Sequence, residues 1–311
     1  MTVARPAANS PLFLTGASGF VGNRLLRLLM QSGHSDVRLL TRNPAQLKAI
    51  PALPRGWQIL VGDLADSAPW SAQLRGVETV LHLAAATGKV PRRTHLAVTV
   101  DGTRRLLAEA ARAGVRRFLY VSSIAVCYRE RRHYHYAEAK AAAETLVREA
   151  SGLDGLIIRP TLVLGPGSTL LASLRKLALL PLPVVFGDGR QPVQPVHVDD
   201  LARVLLATLA LPEWNQRVIT VAGPEAVSIE ALLCRIRAAE KPGARVVHLP
   251  IGPVRALLAL LEPVLLRFLP FTAGQLAFFA NPSLPPPEPL PAGLPEPMLP
   301  LDAMLERGGV P

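Results

Sequence analysis

The sequence predicts an α/β protein, a doubly wound parallel sheet with a smaller C-terminal lobe interleaved with it. Three observations carry this expectation. Apolar runs of strand length alternate with segments of helical periodicity through the first half. A glycine turn, Thr15-Gly16-Ala17-Ser18-Gly19-Phe20-Val21-Gly22, joins the first run to the first helix. Past residue 160 the pattern loosens into short strands, helices and proline-rich stretches, which suit a lobe built onto a core. The core is expected over 1–160 and the lobe over 161–311, with an extended strap at 281–300.

The glycine turn comes first in the chain. Leu12-Phe13-Leu14 is a short buried strand, and Asn23 to Met30 has its apolar positions at helical spacing. Gly16 allows a tight turn, Gly19 lets backbone approach a pyrophosphate, and Gly22 lets helix and strand pack closely. Free N–H groups at the helix start then face the phosphates. Strand, turn and helix in this order are the context a dinucleotide-binding turn requires.

Bulk properties set the limits. The 311 residues are half apolar, enough for one large α/β unit with a substantial core. The net charge of +11 comes from 29 Arg and 5 Lys, set against 23 acidic residues. Pairs such as Arg92-Arg93, Arg104-Arg105 and Arg116-Arg117 are scattered, with no aromatic-interleaved patch, so no nucleic-acid partner is expected. Cys127 and Cys234 are far apart and lack metal-ligand spacing; a reduced, cytoplasmic compartment and no metal site are expected. The first ten residues show no secretory signal, and no run of about 18 apolar residues predicts a transmembrane helix.

Val37 to Thr41 is the second strand. An acid at its end would accept from the ribose diol of NAD, but Thr41-Arg42 stands there. A guanidinium at Arg42 suits an adenosine 2′-phosphate instead, so NADP(H) is expected over NAD(H). Trp57 to Val61 is the third strand, followed by Gly62-Asp63-Leu64, where Asp63 either meets the adenine amino group or caps the loop. Val77 to Leu83 is the fourth, and the small residues Ala84, Ala85 and Ala86 leave room for a cofactor across its end. His82, inside an apolar run, is read as a satisfied core residue. A helix over about 94–113 leads to the fifth strand, Arg117 to Val121.

The fifth strand ends in Ser122-Ser123, and Tyr136-Ala137-Glu138-Ala139-Lys140 begins 13 positions beyond Ser123. Tyr136 and Lys140, four apart, share one helix face. A phenol titrating near 10 needs an adjacent cation to exchange protons at neutral pH. Tyr136 is therefore the candidate acid–base group and Ser123 the hydroxyl that orients a substrate oxygen. Tyr134 is a weaker rival, since Glu138 stands four residues after it.

Together, Thr15 to Gly22, Gly62-Asp63, Tyr120 to Ser123 and Tyr136/Lys140 resemble the short-chain dehydrogenase/reductase superfamily. The T-G-x-x-G-x-x-G spacing is similar to its extended and atypical branches, which hold epimerases, dehydratases, steroid dehydrogenase-like enzymes and flavonol-type reductases. The resemblance continues through Ile158-Arg159-Pro160-Thr161, Gly165-Pro166-Gly167 and Pro195 to Asp200, over most of 11–240. It implies a Rossmann core and hydride transfer, with Ser123, Tyr136 and Lys140 catalytic and Lys140 also gripping the nicotinamide ribose. The implied cofactor contacts are Thr15, Gly16, Ser18, Gly19, Phe20, Val21, Gly22, Arg42, Asp63, Leu64, Ala84, Ala85, Tyr136, Lys140 and Pro160. One position departs from the pattern. Where many extended members carry Asn in V-N-x-x-G-T, this chain has Thr99 in Val98-Thr99-Val100-Asp101-Gly102-Thr103.

In the second half, Leu156 to Arg159 is a sixth strand and about 169–180 a helix. Val184 to Phe186 leads into the turn Gly187-Asp188-Gly189. His197 and Asp199 introduce a helix over 201–210, and Arg217 to Val221 is a further strand. Ser228 caps a helix over 229–239. Val254, Leu257, Leu258, Leu261, Val264, Leu265 and Phe268 form an apolar strip expected to pack on the lobe, with Arg255 and Glu262 on the opposite side. Contact of 253–269 with a membrane surface or partner is the alternative. Nine prolines between Asn281 and Pro300 exclude regular helix and predict the strap. The last 60 or so residues, ending in Leu301-Asp302-Ala303-Met304-Leu305, resemble the branch of the Rossmann-fold accessory subunit of respiratory complex I. Members of that branch can hold NADPH structurally.

The functional expectation is an NADP(H)-linked oxidoreductase acting on a small or lipid-like carbonyl or hydroxyl, as monomer or homodimer. The alternatives are a sugar-nucleotide epimerase or dehydratase, and a nucleotide-binding scaffold with little catalysis.

Overall fold

The computed structural model describes residues 10–47, 52–238, 245–266, 268–269, 271–286, 290–296 and 299–307. Parts of several expected features lie outside these residues: positions 1–9, Ala239 of the helix expected over 229–239, Arg267 of the 253–269 segment, and 287–289 and 297–298 of the strap.

The elements alternate as the periodicity requires. β1 (Leu12–Thr15), α1 (Phe20–Gln31), β2 (Val37–Thr41), β3 (Gln58–Val61) and β4 (Thr79–His82) come first. Next come α2 (Arg92–His95), a π-helical stretch (Leu96–Asp101), α3 (Gly102–Arg112), β5 (Arg117–Val121), α4 (His135–Glu149) and β6 (Asp154–Pro160). The sheet is completed out of sequence by β11 (Arg217–Val221), giving the parallel order β11-β6-β5-β4-β1-β2-β3. Strand residues alternate between its faces. Leu12 and Leu14 pack with Leu25, Leu29, Val204 and Trp214 on the side of α1 and α6 (Val198–Thr208). Phe13 packs with Trp70, Leu106, Phe118 and Val147 on the side of α3 and α4. α1 begins three residues before Asn23, inside the glycine turn itself.

The remaining elements form a second apolar core. They are β7 (Val163–Leu164), α5 (Thr169–Ala178), β8 (Val184–Phe186), β9 (Pro192–Val193), β10 (Val196–His197), β12 (Val227–Ser228), α7 (Ile229–Ala238) and β13 (Val247–Leu249). α8 (Ile251–Leu265), α9 (Ala277–Ala280) and α10 (Leu301–Arg307) follow. Leu171, Leu174, Phe186, Leu232, Ile236, Leu258, Phe278, Phe279 and Leu301 meet in that core. Three two-stranded pairings, β7 with β10, β8 with β13 and β9 with β12, stitch it together. The Ser228 hydroxyl accepts from the Ala231 N–H at 3.0 Å, the expected cap. α6 and β11 return to the large sheet, so the lobe is interrupted by core elements.

α8 is turned differently from the expectation. Its inward side is Ile251, Val254, Leu258 and Leu261, joined there by Arg255 and Glu262. Arg255 reaches Glu130 at 3.6 Å, and Glu262 accepts from the Ala273 N–H. Leu257, Leu260, Val264, Leu265 and Phe268 are exposed. Apolar residues occupy both sides of this helix, so periodicity could not choose between them. The partners of its two charges settle the orientation.

Candidate active site

Parallel strands place their carboxyl ends on one edge, and the candidate residues gather there. Gly16 has φ +77°, and a Cβ on it would lie 2.6 Å from the Ala84 nitrogen. A Cβ on Gly22 would lie 2.2 Å from the Gly16 oxygen. The first turn of α1 carries neither a side-chain cap nor an acidic residue. This is a cradle open to an anion, and its residues fit a dinucleotide pyrophosphate.

Under the cradle runs a buried polar chain. Thr15 Oγ1 accepts from the Ala84 N–H at 3.3 Å and bonds His82 Nδ1 at 2.7 Å. His82 Nε2 bonds Thr103 Oγ1 at 2.8 Å, and Thr103 donates to the Thr99 carbonyl at 2.5 Å. Because Thr103 donates onward, His82 must donate from Nε2, which fixes the neutral tautomer. Burial, with the Lys140 charge adding to it, pulls His82 down to about 3. His82 is thus the satisfied core histidine expected from the sequence. Thr15, expected at the cofactor, has its hydroxyl committed to β4 and the loop after it. Thr99 accepts from the Ala86 N–H at 3.1 Å and so fixes the same loop.

At the far edge, Arg42 is exposed and 3.9 Å from Asp63. Asp63 also accepts from the Ala65 N–H at 2.8 Å, the loop-capping role. Leu64 is buried, and its carbonyl accepts from Arg105 Nη1 at 2.5 Å. Ala84 and Ala85 are half-buried beside the turn.

Ser123 and Tyr136 are brought together. Both side chains line one cavity, and Ser123 Oγ accepts from the Ala125 N–H at 3.2 Å. Burial raises the Tyr136 phenol above its ordinary value, and the neighbouring Ser123 hydroxyl opposes that rise. Lys140 is buried one turn on, donating to the Val121 carbonyl at 2.7 Å, with its ammonium 4.7 Å from the Tyr120 ring centroid. Burial brings it down to about 7, while Glu144 pushes the other way. Tyr134 stacks between Tyr128 and Tyr136, and burial raises it well above 10.

Two contributors escaped the sequence reading. His95 lies 6.2 Å from Tyr136 ring to ring, and its Nδ1 is buried without a partner among the described residues. Glu144 follows Lys140 by four residues, a spacing visible in the sequence, but its partner Arg159 lies on β6 at 2.8 and 2.5 Å. Beside Ser123 and Tyr136 opens a cavity of ≈ 470 Å³. Its walls include Phe20, Pro160, Leu170, Leu174, Leu177, Phe271, Phe278 and Phe279. Lys89 is its one charged wall residue among those described, and Lys89 Nζ donates to the Leu269 carbonyl at 2.5 Å. Both cysteines are free and exposed, and no group of three or more potential metal ligands occurs among the described residues.

Comparison with known proteins gives a consistent picture. Residues 12–222 match the NAD dependent epimerase/dehydratase family. The chain is 34% identical over 181 residues to a 3 beta-hydroxysteroid dehydrogenase/Delta 5→4-isomerase of Mycobacterium tuberculosis, covering 50% of this chain and 48% of that protein. It is 35% identical over 215 residues to the ceramide reductase of Caulobacter vibrioides, covering 66% and 62%. The matches thus span between about half and two thirds of those relatives. UDP-glucuronic acid 4-epimerase from Bacillus cereus, solved with UDP-glucuronic acid and NAD, shares the fold with a TM-score of 0.64. Its identity is 23%, and the alignment covers 77% of this chain and 86% of that one.

Proposed function

The chain belongs to the NAD dependent epimerase/dehydratase family, and from that premise we propose that it is an NADP(H)-linked oxidoreductase of an apolar, lipid-like carbonyl or alcohol. The cavity beside Tyr136 carries this reading. Leucines and phenylalanines dominate its lobe side, and its one cation is already engaged by a carbonyl. A sugar nucleotide would bring a diphosphate whose charges need desolvated cationic partners, and Lys89 is the one cation on the described wall. The names of the two relatives, a ceramide reductase and a hydroxysteroid dehydrogenase, accord with an apolar substrate.

Each residue then has a defined task. The glycine cradle and the start of α1 receive the pyrophosphate, and Arg42 takes the adenosine 2′-phosphate. Ser18, Phe20, Val21, Asp63, Leu64, Ala84, Ala85 and Pro160 border the nucleotide. The dinucleotide, when bound, supplies or accepts the hydride. Tyr136 holds the proton at its phenolic oxygen and exchanges it with the substrate oxygen, which Ser123 orients. Lys140 holds positive charge beneath that exchange and reaches the ribose. Residues 1–160 form the nucleotide side and 161–311 mainly the substrate side, with α6 and β11 as the interleaved part.

NADPH oxidation should be measured with apolar ketones, long-chain aldehydes and quinones, beside UDP-sugars and the reverse reaction with secondary alcohols. Turnover is expected for apolar members, and Leu170→Glu, at a partly buried wall position, should abolish it while leaving NADPH binding intact. Turnover confined to UDP-sugars would contradict the substrate class. Tight NADPH binding with no turnover of any member would indicate a scaffold instead.

A further inference from the structure

Five of the eleven exposed large apolar side chains among the described residues fall between Leu257 and Phe268. Leu260, Val264 and Phe268 are 75%, 83% and 83% exposed. Among the described residues, the outer face of α8 also carries Ala256 and Pro263, both exposed, and no charged residue. A helix of this kind leaves a continuous apolar stripe about 20 Å long in water. What borders the stripe identifies its partner. The Arg255–Glu130 pair at 3.6 Å holds the exposed loop Arg129-Glu130-Arg131-Arg132 alongside the helix. Four arginines thus stand against one carboxylate, and Glu262 is turned inward to the Ala273 N–H.

We propose that α8 docks this protein on an anionic lipid bilayer, with Leu257, Leu260, Val264 and Phe268 in the acyl boundary and Arg129 and Arg132 among the headgroups. An apolar helix face with arginines along its edge matches the two layers of such an interface. A second copy of the chain is a poorer occupant. A two-fold contact through α8 would set each arginine loop near its twin, and like charges oppose that contact.

Docking also explains where the face lies. A cleft of ≈ 280 Å³ runs between Pro263 and Leu266 on one side and Tyr134 and Tyr136 on the other. The chain beyond α8 supplies Phe271, Phe278 and Phe279 to the apolar cavity. The cleft and the cavity share Gly88, Tyr134, Tyr136 and Gln275, which gives an apolar substrate a short path from the bilayer. That last step rests on the proposed function; the docking itself does not.

Flotation of the full chain with phosphatidylcholine vesicles and with phosphatidylcholine/phosphatidylglycerol vesicles tests the proposal. The protein should float with the anionic vesicles at least about tenfold more tightly than with the neutral ones. Leu260→Asp combined with Val264→Asp should weaken this binding by at least about tenfold. Arg129→Glu combined with Arg132→Glu should do the same and flatten the salt dependence. All four positions are exposed, so circular dichroism and NADPH binding should be unchanged and serve as folding controls. Failure of the unmodified protein to bind anionic vesicles would overturn the proposal. So would unchanged binding by the Leu260/Val264 variant, or a solution dimer that this variant dissociates in place of any vesicle binding. Loss of docking with soluble-substrate turnover intact would leave the proposed chemistry standing.

Discussion

His82 links the interior of the site to the stability of the fold. It is fully buried, bonded at both nitrogens and held down to about 3, so it stays neutral where an unfolded histidine titrates near 6.5. Between those two values the unfolded chain binds the extra proton, so stability rises with pH across the window and is level above it. Chemical unfolding should therefore show stability falling as pH drops below about 6.5, by up to ~1.4 kcal/mol per pH unit from this residue. In His82→Gln the slope should shrink to what His34, His95 and His197 contribute, all three also lowered by burial. An unchanged slope would show that His82 is not the titrating group. Arg42, by contrast, is exposed and contributes little to the fold. Its expected role is selection: Arg42→Asp should cost NADPH roughly ten- to a hundredfold in affinity and reverse the preference over NADH. Equal affinities for both nucleotides in the unmodified protein would remove that role.

At the scale of the element, α4 is one ridge with three tasks at successive turns. Tyr136 faces the cavity, Lys140 lies beneath it, and Glu144 ties the ridge to Arg159 of β6 and Arg148 of its own helix. Glu144 is almost fully buried, and its charge keeps the Lys140 pKa from falling as far as burial alone would take it. Glu144→Gln should destabilise the protein by about 2–4 kcal/mol, because Arg159 loses its buried partner. It should also move the alkaline fall of turnover to lower pH, since Lys140 then loses its proton earlier. A destabilised variant with an unmoved pH profile would assign Glu144 to the fold alone. The Tyr136/Lys140 spacing was legible in the sequence because four residues along a helix is a local relation. The Glu144 pairing was not, since Arg159 comes from another element. α8 shows the same limit: local periodicity found a helix there, but distant partners, Glu130 and the Ala273 N–H, turned it over.

For the whole molecule, the central strands β1, β4, β5 and β6 were readable as apolar runs because they are buried on both faces, whereas the edge strands β3 and β11 are partly exposed. The cavity was not readable, because its wall is assembled from segments as distant as Phe20, Lys89, Ser123, Leu174 and Phe279. Its apolar character emerges only when the second core closes against the strand ends. The account stands on that junction, where Ser123 and Tyr136 meet the cavity. Removal of the Tyr136 hydroxyl tests it most directly. Tyr136→Phe should keep the fold and NADPH binding, yet lower turnover of an apolar carbonyl by about two to four orders of magnitude. Tyr134→Phe should retain most activity. Turnover by Tyr136→Phe equal to that of the unmodified protein would contradict the assignment.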